Sequence, residues 1–255
     1  MKLAQRVALV TGGATGIGRA TVLALAQSGA AGVVINYRSA KDQAEELAEE
    51  VRQLGAVPLC LYADMTNDKQ VRDMVGQAGD HFGRLDVLVN NAGITHWVPF
   101  SDLESLTDEI WDQILDVNVK GAFRCVRAAA PLLSKNQGMV INVSSVSGIL
   151  AASTSSSLAY GTSKAALIYL TRGLAVALAP EIRVNAVAPA FTDTQWMKDH
   201  FGSEYEQVLS KASKAYPLGR VAKPEEVAEA IVGLITGGDF VTGQTLVIDG
   251  GLGLS

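Results

Sequence analysis

The sequence predicts an α/β fold, a doubly wound seven-stranded parallel sheet with helices on both faces, and three observations carry that prediction. Short β-branched runs alternate with longer segments of helical period from end to end of the chain, the pattern of repeated strand–helix–strand units. Several runs are apolar throughout instead of alternating with polar residues, as strands are when helices cover both faces of their sheet. A glycine-rich turn, Thr11-Gly12-Gly13-Ala14-Thr15-Gly16-Ile17-Gly18, joins the first run to the first helical segment.

Strands are expected at Val7–Thr11, Gly32–Asn36, Val57–Tyr62, Asp86–Asn90, Gly138–Val143, Arg183–Val187 and Thr245–Ile248, and helices from near Gly16, Lys41, Asn67, Thr107, Leu158 and Pro224. The last helix opens Lys223-Pro224-Glu225-Glu226. Proline needs no N–H partner in a first turn, and the carboxylates suit the positive end of the helix dipole. No linker or repeat divides the chain, and its one biased tract is the serine cluster Ser153–Ser157, so residues 1–255 read as a single domain. Gln195–Tyr216 interrupts the alternation and carries Trp196, Met197, Phe201 and Tyr205 at helix-like spacing. A substrate lid at about 190–216 is expected there. From Leu158 to Ala179 only Lys164 and Arg172 are charged. That helix is expected to be buried against more than one neighbour, either wholly inside the domain or against a second copy of the chain. A homotetramer is expected ahead of a dimer.

At 255 residues the chain can bury roughly 70–75% of its extended surface without disulfides or metals. With 21 Lys+Arg against 26 Asp+Glu the net charge is −5. No basic cluster stands out to attract nucleic acid or an anionic membrane. Cys60 and Cys125 are far apart, His81, His96 and His200 are scattered, and neither set has metal-ligand spacing. The apolar opening around Val7–Val10 is too short for a secretory core, and a cytoplasmic protein is expected.

In the glycine turn, residues without a side chain let the backbone approach a pyrophosphate, and the free N–H groups and dipole of the following helix attract its charge. A P-loop is excluded, because Arg19 and Ala20 stand where Lys and Ser/Thr must reach phosphate and magnesium. The common G-x-G-x-x-[GA] fingerprint is met only in part, by Gly16 and Gly18 followed by Thr21. After the second strand stands Asn36-Tyr37-Arg38-Ser39. It lacks the carboxylate that holds an NAD ribose, and the planar donor fork of Arg38 suits a 2′-phosphate. The residues therefore point to NADP(H), with NAD(H) as the alternative, and to Arg38 as either a phosphate ligand or a guanidinium stacked on adenine.

Tyr160-Gly161-Thr162-Ser163-Lys164 opens a long helix, so phenol and ammonium lie one turn apart on one face. An ammonium ~4 Å away at an effective dielectric of ~20 is expected to lower a phenol by on the order of three pKa units. Read alone, the pair is an ordinary helix-surface contact.

The spacing T-G-x-x-x-G-x-G, with Asp64, Asn90-Asn91-Ala92-Gly93, Asn118, Ser145, Tyr160 with Lys164, Pro189 and the closing Gly243–Gly251 stretch, resembles the shorter branch of the short-chain dehydrogenase/reductase family over essentially the whole chain. The resemblance implies a Rossmann-like fold and a nicotinamide dinucleotide held at successive sheet-end turns. These are Gly12, Thr15, Gly16, Ile17 and Gly18; Tyr37, Arg38 and Ser39; Asp64 and Met65; Asn91, Ala92 and Gly93; and Pro189, Thr192 and Thr194, with Tyr160 and Lys164. It implies a catalytic set of Asn118, Ser145, Tyr160 and Lys164. In that set Tyr160 exchanges a proton with the substrate oxygen, Ser145 steadies that oxygen, Lys164 also holds the nicotinamide ribose, and Asn118 holds a water that passes protons to the lysine. Ser144 and Ser147 compete with Ser145. Thr15 stands where NADP-preferring relatives carry a basic residue, and Ala190 where the family usually has glycine. The function expected is reduction of a carbonyl, or oxidation of a secondary alcohol, with a 3-oxoacyl thioester as favoured substrate. The alternatives are a glucose-type sugar 1-dehydrogenase and a non-catalytic NADP-binding sensor, a class that usually lacks the Tyr or the Lys.

Overall fold

Every strand marked by the hydrophobic pattern is present to within a residue or two. The computed structural model describes residues 1–151 and 156–254. Strands β1 (Val7–Val10), β2 (Gly32–Tyr37), β3 (Val57–Tyr62), β4 (Val87–Asn90), β5 (Met139–Val143), β6 (Arg183–Pro189) and β7 (Thr245–Ile248) form one sheet in the order β3-β2-β1-β4-β5-β6-β7. All neighbouring pairs are parallel. β1, β4 and β5 are buried along their whole length, whereas the edge strands β3 and β7 are not. Continuous apolar runs thus mark the strands covered on both faces.

Two cores follow from the pleat. In β1, Ala8 and Val10 pack against α1 (Gly16–Gln27), α2 (Lys41–Gln53) and α9 (Pro224–Thr236). Val7 and Leu9, pointing the other way, meet α3 (Asp68–Phe82), α5 (Ala122–Ser134) and α6 (Leu158–Leu178). The start of α9 is as its sequence suggests, with Pro224 in the first turn and the Glu226 carboxylate accepting from Lys223 N at 2.9 Å. Among the described residues, no helix is long and apolar enough to cross a membrane.

Two helices differ from expectation. The helix expected from Thr107 is divided: α4 (Asp108–Leu115) passes through a π-helical turn, Asp116–Gly121, before α5. A π turn widens the backbone spiral, and such turns concentrate at functional sites; this one carries Asn118. Nor is α6 buried all round, because Thr162, Ala165, Tyr169, Arg172 and Val176 form an exposed stripe, with Tyr169 77% and Val176 83% exposed. The missing charges mark a face that the single chain leaves uncovered.

Strand order reverses at β1, between β2 and β4, which opens a crevice at the carboxyl ends of the strands. A polar ladder aligns the strands beneath it. Asn90 Nδ2 donates to Asn142 Oδ1 at 2.9 Å, Asn142 Nδ2 to Thr171 Oγ1 at 2.8 Å, and Thr171 in turn to Leu167 O. The ladder ties β4, β5 and α6 into one registered unit, because each buried group left unpaired would cost about 1–3 kcal/mol.

Candidate active site

The crevice opens into one cavity of about 820 Å³, lined from the glycine turn at one end to Tyr216 and Leu252 at the other. Its first wall is a set of strand-end turns tied to one another. Asn36 Oδ1 accepts from Gly12 N at 3.0 Å, while Asn36 Nδ2 donates to Leu61 O and Ala63 O. Asn91 Nδ2 donates to Thr11 O and Gly12 O at 3.0 Å each, and Thr11 Oγ1 accepts from Asn91 N and Ala92 N. The buried Asn36 amide, the half-buried Asn91 amide and the buried Thr11 hydroxyl thus lock the ends of β1, β2, β3 and β4 together. The part played by Asn36 and Thr11 escapes sequence reasoning, since neither spacing nor residue type distinguishes them from strand residues.

Gly12 and Gly16 take positive φ, +58° and +53°, a conformation costly to other residues. A Cβ on Gly18 would lie 2.1 Å from the Gly12 carbonyl oxygen. Gly18, alone among the expected cofactor residues, is not at the cavity surface; what the structure shows of it is close packing of α1 on the turn. Helix α1 begins with no side-chain cap and no acid in its first turn, so its opening N–H groups are available to an anion. Thr15, Gly16 and Ile17 line the cavity there. Thr194 caps α7 (Gln195–Phe201), and its methyl would lie 3.7 Å from a Cβ on Gly16, which brings the end of the β6 loop against this turn.

Tyr37, Arg38 and Ser39 line the cavity with Asp64, Met65, Asn91, Ala92 and Gly93, and Pro189, Thr192 and Thr194 line it from the β6 side. Arg38 is 56% exposed and 3.9 Å from Asp64 Oδ2. This is a loose pair that leaves the guanidinium free to meet another anion. Ala190 has no positive φ, so the backbone here does not need the family's glycine.

Ser145, Tyr160 and Lys164 meet at the cavity wall. Tyr160 and Ser145 share a side-chain hydrogen bond, whereas Ser144 Oγ is buried and donates to Lys164 O at 2.8 Å. Of the rival serines, Ser145 is therefore the one joined to the phenol and Ser144 is a packing group; Ser147 also lines the cavity. Ser153 and Ser155, in the loop before Tyr160, lie outside the described residues. Lys164 Nζ donates to Val143 O at 2.9 Å and stands 5.5 Å from the centre of the Tyr160 ring.

The expected acidification of Tyr160 is corrected. Burial pushes the phenol up to about 12 against the pull of the Ser145 hydrogen bond, and burial brings the Lys164 ammonium down to about 8. Desolvation opposes phenolate and ammonium alike.

Asn118 does not line the cavity. Its Oδ1 accepts from Ile94 N at 2.8 Å, and its Nδ2 donates to Ile94 O and to Ser163 Oγ at 3.0 Å each. A Cβ on Gly93 would lie 3.3 Å from Asn118 Oδ1 and 3.4 Å from Lys164 Nζ. The π turn thus sets Asn118 beside the β4 turn and against Ser163, the residue that precedes Lys164 in α6.

The far wall is mainly apolar. Trp97, Phe191, Trp196, Met197 and Phe201 line it, and α8 (Tyr205–Ala215) adds Val208, Ala212 and Ala215 with one charged residue, Lys211. α7 and α8 occupy the segment expected as a lid, and Tyr205 OH donates to Asp193 Oδ1 at 2.7 Å, bracing α8 against the β6 loop. Trp97 was not singled out from the sequence, where it is one aromatic in an irregular loop.

A doubly wound sheet with a dinucleotide cradle at its switch point and a serine–tyrosine–lysine group in the same cavity defines a nicotinamide-dependent oxidoreductase. The family model described as "Enoyl-(Acyl carrier protein) reductase" matches residues 12–253. The chain is 39% identical over 255 residues to a 3-oxoacyl-[acyl-carrier-protein] reductase of Thermotoga maritima, covering 99% of each. It is 38% identical over 251 residues to the cis-4-hydroxycyclohexanecarboxylate dehydrogenase of Sinomonas cyclohexanicum, covering 97% of this chain and 96% of that one. A crystal structure of a short-chain type dehydrogenase/reductase from Mycobacterium marinum superposes with a TM-score of 0.88 at 34% identity, over 98% of this chain and 96% of that one. The chain belongs to the short-chain dehydrogenase/reductase family.

Proposed function

We propose that the protein is an NADP(H)-dependent reductase of 3-oxoacyl thioesters. The observation that carries this reading is the hydrogen-bonded Ser145–Tyr160 pair beside Lys164, in a cavity continuous with the dinucleotide cradle. The free N–H groups of α1 and the close-packed glycine turn fit a pyrophosphate, Arg38 fits a 2′-phosphate, and Lys164 is placed to hold the nicotinamide ribose. A bound nicotinamide supplies or takes the hydride.

The chain's own part is the proton. With its pKa near 12, Tyr160 is protonated at neutral pH and is a ready donor to an alkoxide, a far stronger base than phenolate. Ser145 donates to the substrate oxygen and holds it against the phenol. The Lys164 ammonium, on the cavity wall, favours the developing negative charge. Asn118 positions the β4 turn and the start of α6, and so the side chain of Lys164. The rings of Trp97, Phe191, Trp196 and Phe201 on the far wall favour an apolar substrate over a sugar.

The exposed stripe of α6, with Tyr169 and Val176 bare to solvent in the single chain, supports a homo-oligomer, read as a tetramer, and the two unpaired cysteines suit a reducing cytoplasm. The deciding experiment follows nicotinamide absorbance with an acetoacetyl thioester and each coenzyme. Greater kcat/KM with NADPH, lost on Arg38→Ala, is expected. Greater kcat/KM with NADH, with NADPH use unaltered in that variant, would overturn the coenzyme assignment; turnover of glucose but of no thioester would overturn the substrate.

A further inference from the structure

The far wall of the cavity is built from aromatic rings that the proton chemistry does not use. They come from two segments distant in sequence: Trp97 from the loop after β4, and Phe191, Trp196 and Phe201 from the stretch that runs from just after β6 through α7. Ring centres lie 5.9 Å apart for Trp97 and Trp196, 5.6 Å for Trp97 and Phe201, and 6.3 Å for Phe191 and Phe201. All four rings line the cavity. Isolated exposed aromatics are common on protein surfaces, but convergence of several on one concavity marks a recognition surface.

The orientation of Trp97 is held from behind. His200 lies flat on one face of the indole, with ring centres 3.7 Å and planes 10° apart, and is itself outside the cavity lining. α8 contributes the short side chains of Val208, Ala212 and Ala215, and Lys211. A flat ring entering such a space meets aromatic faces and edges at the 4.5–7 Å separations that give aromatic pairs their added attraction, whereas a linear chain gains only its buried area.

We propose that this wall makes the site selective for 3-oxo substrates whose apolar end carries an aromatic ring, over short or linear acyl chains. The inference rests on the reading above for its thioester head group, though not for its ring. The test compares N-acetylcysteamine thioesters of acetoacetate, 3-oxooctanoate and 3-oxo-5-phenylpentanoate, in which the reacting 3-oxoacyl unit is the same, alongside butan-2-one and 4-phenylbutan-2-one, which lack the thioester.

The phenyl thioester is expected to exceed the acetoacetyl one in kcat/KM about tenfold, and the linear one about threefold. Trp97→Ala should cut the phenyl-to-acetoacetyl ratio about fivefold or more, with Trp196→Ala moving it the same way should the first variant fail to fold. A ratio near one in the parent enzyme, a linear chain equal to the ring, or a ratio unmoved in the folded variants would overturn the proposal. Preference for 4-phenylbutan-2-one over butan-2-one, with no thioester turned over, would sink the head-group reading and sustain the ring slot.

Discussion

The two walls of the cavity are held in place by different means. The cofactor wall is four strand-end turns cross-tied by Thr11, Asn36 and Asn91 through hydrogen bonds of 3.0–3.3 Å, with glycines where backbone approaches backbone. The substrate wall is made of helices α7 and α8 and the loop carrying Trp97, held by ring contacts and by scattered bonds at its margins: Tyr205 OH and Lys198 Nζ to Asp193, Phe191 N to Tyr216 OH, and Val98 N to Ser156 O. Directional bonds between fixed turns admit one geometry, whereas ring contacts are non-directional enough to survive changes in the rings' identity. The first wall suits a ligand of constant shape, and the second suits one that differs from relative to relative.

The comparison breaks most sharply where the walls meet. Tyr160→Phe should lower kcat about 10³-fold, the range of a lost general acid, while coenzyme affinity by fluorescence titration stays near that of the parent; equal loss of both would mean that Tyr160 serves the cofactor wall instead. Gly18→Ala tests that wall alone. With a Cβ forced to 2.1 Å from a carbonyl oxygen, the turn must shift, and coenzyme Kd should rise about 10–100-fold, in line with the 1–3 kcal/mol of overpacking. An unchanged Kd would show the turn to be as adaptable as the opposite wall.

Smaller effects separate the walls further. Lys164, with its pKa brought to about 8, is charged below that pH and neutral above it. For reduction, kcat/KM should therefore be level through neutral pH and fall about tenfold per unit as pH rises beyond 8. A profile that instead climbs through that range would mean that the neutral amine is the active form. The mildest change is Tyr205→Phe, which removes one hydrogen bond to Asp193, worth about 1 kcal/mol. Substrate KM should rise several-fold with coenzyme Kd unmoved; if both move together, the walls are mechanically one.

Much of this was legible before the fold. The seven strands follow from apolar runs, the start of α9 from Lys223-Pro224-Glu225-Glu226, and the Tyr160–Lys164 pair from helical spacing. The π turn at Asp116–Gly121 was not, because widening one helical turn leaves the composition of a helix intact. The pKa of Tyr160 was misjudged for a related reason: spacing reports a neighbouring charge but not how much water both groups have lost. Trp97 entered the site only through the chain's return in α7, which no local pattern announces.

Periodicity, glycine placement and the four-residue interval from Tyr160 to Lys164 are local properties, and with the family resemblance they determined the sheet, the cradle and the class of reaction. Which serine joins the phenol, how far burial shifts Tyr160 and Lys164, and which rings face the substrate were decided by the tertiary structure alone. Each depends on groups distant in the chain that meet in space and on the water they exclude, and desolvation is a property of the assembled fold.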